Sequence, residues 1–201
     1  MMVKIAVIDY GMGNQGSIVN ALRSMDYKVS LVRIPEQIND KDLIVLPGVG
    51  AFPQAMKNLN KSGFTDYLLQ LNNSKPLIGI CLGMQLLAES SSELKETLGL
   101  GIIPGKIQKI GNSKWHIGWN KIKIRNKCKS LKEFNNKDFY FNHSFEYVGN
   151  SRYEVARSGE PYSCSAIIKK GLVYGLQFHP EKSQQAGKSL IGKIINGALG
   201  A

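Results

Sequence analysis

Short apolar runs and amphipathic segments alternate along the first half of the chain. Val3–Asp9 (VKIAVID) reads as a buried strand, and Ser17–Met25 (SIVNALRSM) carries its apolar residues at helical spacing. Tyr27–Val32 and Leu43–Leu46 (LIVL) follow as strands, the second running into Pro47-Gly48-Val49-Gly50. A helical segment over Gln54–Leu71, a buried apolar run at Leu77–Ile80 (LIGI) and a helix over Leu82–Glu89 complete this half. Such strand–helix alternation is the signature of a parallel sheet covered on both faces. After about Gly99 short strands take over: Gly105–Ile110, Lys121–Ile124, Phe139–Phe141, Tyr153–Ala156, Ser165–Ile168 and Val173–Phe178. Lys169-Lys170-Gly171 predicts a hairpin between the last two, and an amphipathic helix over Gly187–Leu199 closes the chain. The expected architecture is an α/β/α sandwich whose mixed sheet is extended by antiparallel strands.

Composition narrows the class. With 43% hydrophobic and 20% charged residues in 201, the chain suits a globular protein able to bury roughly 70% of its unfolded surface. No linker-like stretch divides it, so one domain over residues 1–201 is expected. No apolar run approaches a membrane span and no signal core opens the chain, which points to a cytoplasmic protein without a membrane partner. Cys81, Cys128 and Cys164 are odd in number, widely spaced and free of a CxxC pair, so neither a disulfide scaffold nor a zinc site is expected.

The net charge of +11 raises the question of nucleic acid. The densest basic stretch, Lys121–Lys137, alternates its first charges with Ile122 and Ile124, the pattern of a half-buried strand with a wet face. It has no interleaved aromatics and fits no common nucleic-acid-binding motif. A solvated face is the reading, and no nucleic-acid partner is expected.

The most specific local feature is Gly79-Ile80-Cys81-Leu82-Gly83, between an apolar strand and a helix. It is a nucleophile elbow with Cys in place of Ser. A sharp strand-to-helix turn lifts the side chain into a crevice, and glycines let the backbone pass closely. The helix N-terminus favours a thiolate there, and the Leu82 N–H is free to hold an oxyanion. A lone cysteine is ordinarily a buried structural residue; the glycines and the strand–helix setting favour the nucleophile, whereas Cys128 and Cys164 read as structural.

A thiolate needs a base, and His116, His143 and His179 are the histidines of the sequence. In Phe178-His179-Pro180-Glu181 an extended backbone would put Glu181 on the same side as His179, where a carboxylate fixes the tautomer and stabilises the imidazolium. The Pro47–Gly50 turn, at the carboxyl edge of the sheet, is a candidate second oxyanion donor. Gly11-Met12-Gly13-Asn14-Gln15-Gly16 matches a dinucleotide fingerprint by letter, but the second strand ends in Val32-Arg33 without the required carboxylate. No cofactor and no metal are expected.

Taken together, IDYGMGN (Ile8–Asn14), LPGVGAF (Leu46–Phe52), GICLGMQLL (Gly79–Leu87), HIGWN (His116–Asn120), NHSF (Asn142–Phe145) and QFHPEKS (Gln177–Ser183) resemble the class I glutamine amidotransferases. PGVG and the HIGWN block are most similar to the glutaminase subunits of imidazole glycerol phosphate synthases. The resemblance implies a flavodoxin-like α/β/α fold and a heterodimer with a (β/α)8-barrel cyclase subunit. It implies that Cys81 attacks the carboxamide of L-glutamine, that His179 and Glu181 complete a triad, and that Leu82 with Val49 or Gly50 holds the oxyanion. Gly50, Gln85, Glu93, Ser144 and Phe145 would hold glutamine, and Asn14, Trp119, Tyr140 and Lys182 would face the partner.

Ammonia would pass to the cyclase, yielding imidazole glycerol phosphate and an aminoimidazole carboxamide ribotide in histidine biosynthesis. Paralogues that supply ammonia for amidination of a surface sugar are the alternative. A catalytically silent interaction protein on the same fold and a stand-alone cysteine peptidase, which shares elbow and triad, are further alternatives, but the intact Cys81, His179 and Glu181 weigh against the first, and Gln85 and Glu93 against the second. The chain departs from the family pattern at Trp115, usually Pro, and at Asn142 and Phe145, usually Val and Tyr. These three changes are expected on the partner-facing side.

Overall fold

A computed structural model describes residues 2–71, 74–111, 115–126 and 128–200; Lys127, in the basic stretch, lies outside the described residues. β1 (Lys4–Ile8) sends Ile5 and Val7 into one core and Ala6 and Ile8 into another, as a strand covered on both faces must. α1 (Gln15–Arg23) lays Ile18, Val19 and Leu22 on the first core. β2 (Lys28–Val32) is the sheet edge, and β3 (Leu43–Leu46) is buried throughout. The single helix expected over Gln54–Leu71 is two: α2 (Phe52–Lys61) and α3 (Phe64–Gln70). Gly63, at φ 75°, adopts the left-handed conformation that ends a helix and turns the chain. β4 (Leu77–Ile80) leads into α4 (Leu82–Leu86), shorter than expected because Glu89 donates its N–H to Gly105 and the chain leaves as β5 (Ser90–Ser91).

The second half adds β6 (Thr97–Leu98), β7 (Lys106–Lys109), β8 (His116–Ile124), β9 (Asp138–His143), β10 (Phe145–Val148), β11 (Glu154–Ser158), β12 (Ser165–Lys170), β13 (Val173–Leu176) and the closing helix α5 (Gln184–Leu199). β8 is nine residues rather than the four expected, and Ile122 and the partly buried Ile124 form its covered side. Among the described residues nine strands form one sheet in the order β2-β1-β3-β4-β13-β12-β11-β8-β9, and β10-β7-β5-β6 form a second. The first five strands of the large sheet run parallel in the flavodoxin-like order, and the rest pair antiparallel, including the β12–β13 hairpin. α1 and α5 cover one face; α2, α3 and α4 cover the other.

Two details of this frame prepare the site. β13 pairs with β4 so that Gly175 faces Gly79 and Leu176 faces Ile80. Whatever follows β13 therefore emerges beside whatever follows β4. At the same carboxyl edge, after β2, Arg33 stands where a dinucleotide fold needs an acid, and it pairs with Asp9 at 2.9 Å. Among the described residues no helix is long and apolar enough to cross a membrane.

Candidate active site

Cys81 is the first residue past β4, and its N–H donates to Leu176 O of β13 at 2.7 Å. Its backbone sits at φ 54°, ψ −111°, a conformation L-residues rarely adopt, and α4 begins at the next residue. The elbow is closed by glycines with no room to spare. A Cβ on Gly83 would lie 1.9 Å from Leu46 O, and one on Gly79 would lie 2.5 Å from Gly83 O. α4 is thereby pressed onto β3 and β4, and Cys81 is lifted to the carboxyl edge of the sheet.

Cys81 opens into a cavity of about 350 Å³. Val49, Gly50, Leu82, Gln85, Glu93, Ser144, Phe145 and His179 line it too, so the structure gathers every candidate oxyanion and glutamine-binding residue around one nucleophile. Glu181 stands behind His179, its Oε1 2.8 Å from His179 Nδ1, and both side chains are nearly sealed from solvent. The route to that contact differs from the sequence expectation. His179 is extended, but Pro180–Lys182 is a 3-10 turn with Pro180 at its first position, where a missing N–H costs nothing. The turn, not an extended i, i+2 pair, folds the carboxylate back onto the ring.

The three histidines separate cleanly. His116 and His143 bond to each other, Nδ1 to Nε2 at 3.0 Å, and burial pushes them down to about 3 and about 4. His179 moves the other way. Burial alone would lower it, but a side-chain hydrogen bond to Cys81, the bond to Glu181 and the charges of both raise it to about 10. With Nδ1 on the carboxylate, Nε2 is the atom left for sulfur. An imidazolium held between a carboxylate and the Cys81 sulfur is placed to act as a general acid toward a leaving amine.

The rest of the wall is built by local bonds. Gln85 spends its amide N–H groups on Phe145 O at 3.0 Å and Gln177 Oε1 at 3.3 Å, so it shapes the Ser144–Phe145 backbone. Glu93 Oε2 accepts the Phe52 N–H at 2.8 Å. Asn142 O lies 3.8 Å from Cys81 Sγ.

A family model for class-I glutamine amidotransferases matches residues 6–195. The chain belongs to that family. As an amidotransferase it is 38% identical over 201 residues to the imidazole glycerol phosphate synthase subunit HisH of Methanopyrus kandleri, covering 98% of this chain and 99% of that protein. It is 36% identical over 207 residues to the imidazole glycerol phosphate synthase hisHF, chloroplastic, of Arabidopsis thaliana, covering 98% of this chain and 35% of that protein. Among solved structures, PurLQS from Thermotoga maritima superposes with a TM-score of 0.79 at 20% identity, over 98% of this chain and 99% of that one, a likeness of fold.

Three of the four residues assigned to a partner face of this amidotransferase meet on the surface. Trp119 and Tyr140 are cross-strand partners with ring centroids 6.0 Å apart, and Lys182 Nζ lies 5.7 Å from the Tyr140 ring. Asn14 is exposed at the start of α1, and the loop before it lies against the glycine turn, Met12 reaching Gly50. Trp115, Asn142 and Phe145, expected on the partner-facing side, line the cavity, Trp115 60% exposed at its wall.

Sequence reasoning missed two supports of the site. Tyr10 donates its hydroxyl to Pro47 O at 2.9 Å, pinning the glycine turn, and its phenol is pushed up by burial and by Cys81. Tyr140 O accepts the His179 N–H at 2.9 Å, tying the base to β9. Tyr10 stands two residues past β1 and directly precedes Gly-Met-Gly, a signal that could have marked it; Tyr140 is placed by strand pairing alone.

Proposed function

We propose that this chain, as a single domain over residues 1–201, hydrolyses L-glutamine in the cytoplasm and delivers the ammonia to a (β/α)8-barrel cyclase subunit. The observation that carries the reading is Cys81 at the mouth of a cavity whose wall also presents His179, buttressed by Glu181, and the carboxylate of Glu93. Cys81 sulfur attacks the carboxamide carbon, and the oxyanion goes to the Leu82 N–H and to one from Val49–Gly50. His179 gives its Nε2 proton to the departing nitrogen, leaving a glutamyl thioester and ammonia. The neutral His179 then takes a proton from water, hydroxide adds to the thioester, and glutamate leaves as sulfur is restored. Glu181 keeps the ring oriented through both halves. Glu93 pairs with the substrate ammonium, and Gly50, Gln85, Ser144 and Phe145 shape the slot around the rest of glutamine.

The relatives' names support the coupling, since one is a subunit of imidazole glycerol phosphate synthase. In the plant protein the matched region is 35% of the length, which leaves room for a second activity on the same chain. Asn14, Trp119, Tyr140 and Lys182 would receive that partner. Ammonia would go to its ribonucleotide substrate, giving imidazole glycerol phosphate and an aminoimidazole carboxamide ribotide.

The experiment measures glutamate release by the chain mixed with its cyclase, with and without the ribonucleotide. Stimulation by the ribonucleotide is the expected result. Glutamate release without stimulation by an active cyclase would shift the acceptor to another pathway, such as sugar amidination. Glu181→Gln should lower kcat by roughly 10³-fold or more with KM little changed, as loss of a triad carboxylate does.

A further inference from the structure

Next to the cavity, and independent of its reading as a glutaminase, lies a second cluster of metal-ligating groups. His116 opens β8, His143 ends β9 directly opposite it in the ladder, and Cys164 precedes β12. His116 Nδ1 and His143 Nε2 are 3.0 Å apart, and Cys164 Sγ lies 3.6 Å from the first and 3.8 Å from the second. All three residues are buried, the least so His143, which reaches the cavity wall. A tetrahedral zinc, with bonds of 2.0–2.3 Å, sets its nitrogen and sulfur ligands roughly 3.3–3.6 Å apart. The three atoms already stand within a few tenths of an ångström of that triangle.

The hydrogen bonds around the cluster point the same way. His143 Nδ1 is 2.8 Å from Phe145 O, so it carries the proton and leaves the Nε2 lone pair directed at the cluster. A ligating imidazole characteristically donates its other N–H to a backbone carbonyl. His116 is clamped between the rings of Phe141 and Tyr162, with centroids 4.2 and 3.8 Å away, which fixes its plane. Its Nε2 lies 3.2 Å from Asn120 Nδ2, an amide that also donates to Gly159 O at 3.3 Å and would give up that bond in turning to accept from the ring.

We propose that His116, His143 and Cys164 form a binding site for a borderline-soft divalent cation of the zinc class, separate from Cys81 and His179. Binding breaks the His116–His143 hydrogen bond: the His116 proton passes to Nε2, where Asn120 accepts it, and the Cys164 thiol releases one proton to solvent. The ion gains two imidazole nitrogens and one thiolate, and a fourth ligand, water or an anion, comes from the cavity side. The ion would tie β8, β9 and the segment before β12 together beside Asn142–Phe145. No spacing in the sequence discloses the site, because its ligands come from three separate segments.

The test loads the purified, reduced chain with Zn²⁺, passes it through a desalting column and counts the retained metal. About one ion per chain is expected for wild type and for Cys81→Ser. Cys164→Ser and His116→Gln should each weaken retention by about tenfold to a hundredfold or more. Co²⁺ should give a thiolate-to-metal charge-transfer band that survives Cys81→Ser and disappears in Cys164→Ser. Retention lost with Cys81→Ser and kept by Cys164→Ser would place the ion on the active-site thiol and overturn the proposal. So would equal retention by all variants, or none by wild type. Should the cluster variants not fold, X-ray absorption of zinc-loaded Cys81→Ser decides: two imidazoles and one sulfur support the site, and a shell without sulfur refutes it.

Discussion

Glu93 and Phe52 are joined across 41 residues by one hydrogen bond, from the Phe52 N–H to Glu93 Oε2 at 2.8 Å. The carboxylate therefore has two tasks. One oxygen satisfies an orphan donor at the start of α2, and the group as a whole gives the cavity its negative charge.

Glu93→Gln separates those tasks. The amide oxygen can still accept from Phe52, so stability should fall by less than about 1 kcal/mol. A substrate ammonium would lose a charge-assisted partner, and KM for glutamine should rise about tenfold to a hundredfold with kcat less affected. An unchanged KM would remove Glu93 from substrate recognition.

His179 offers a titration. Its pKa, about 10 against an ordinary 6.5, lies above the unfolded value. The stability tied to its protonation is thus complete below about pH 6.5 and is lost as pH rises toward 10. Cys81→Ala removes the sulfur's hydrogen bond and charge, leaving burial opposed by Glu181 alone. Imidazole NMR shifts should show the midpoint fall substantially in the variant, and the alkaline loss of stability should begin at lower pH. A midpoint unmoved by the substitution would mean that sulfur and ring do not interact.

The elbow makes a stability prediction. Gly83→Ala would force a methyl to within 1.9 Å of Leu46 O, a backbone atom that cannot swing away. Displacing α4 should cost about 3 kcal/mol or more and move the Leu82 N–H from the oxyanion position. Urea denaturation measures the first effect, and glutamine turnover of the folded fraction the second. A variant of native stability would show that the contact is looser than the geometry requires.

Legibility in the sequence followed distance along the chain. Cys81 could be found because strand, turn and helix are adjacent and each glycine has a local reason. His179 and Glu181 were legible as a pair, although the backbone between them is a 3-10 turn rather than a strand. α2 and α3 read as one helix because the apolar spacing runs on across Gly63, whose left-handed φ is set by the turn itself. β10 was missed because Ser144 alone separates it from β9, with no glycine or proline to punctuate a change of sheet. The place of Asn142 at the cavity was not legible for a related reason: β8 and β9 pair it with Ile117, 25 positions away.

The backbone of Cys81 has a last consequence. At φ 54°, ψ −111° any side chain is uncomfortable, and only glycine is free of the clash. Stability at this position should therefore run against the usual order: Cys81→Gly should exceed Cys81→Ala by about 1 kcal/mol in urea denaturation, although glycine ordinarily weakens a chain. Equal stabilities would mean that the neighbours relax around the residue. If glycine wins, the amidotransferase fold tolerates its nucleophile rather than needing it, and a lineage released from catalysis would drift toward a sturdier protein with nothing at the mouth of its cavity.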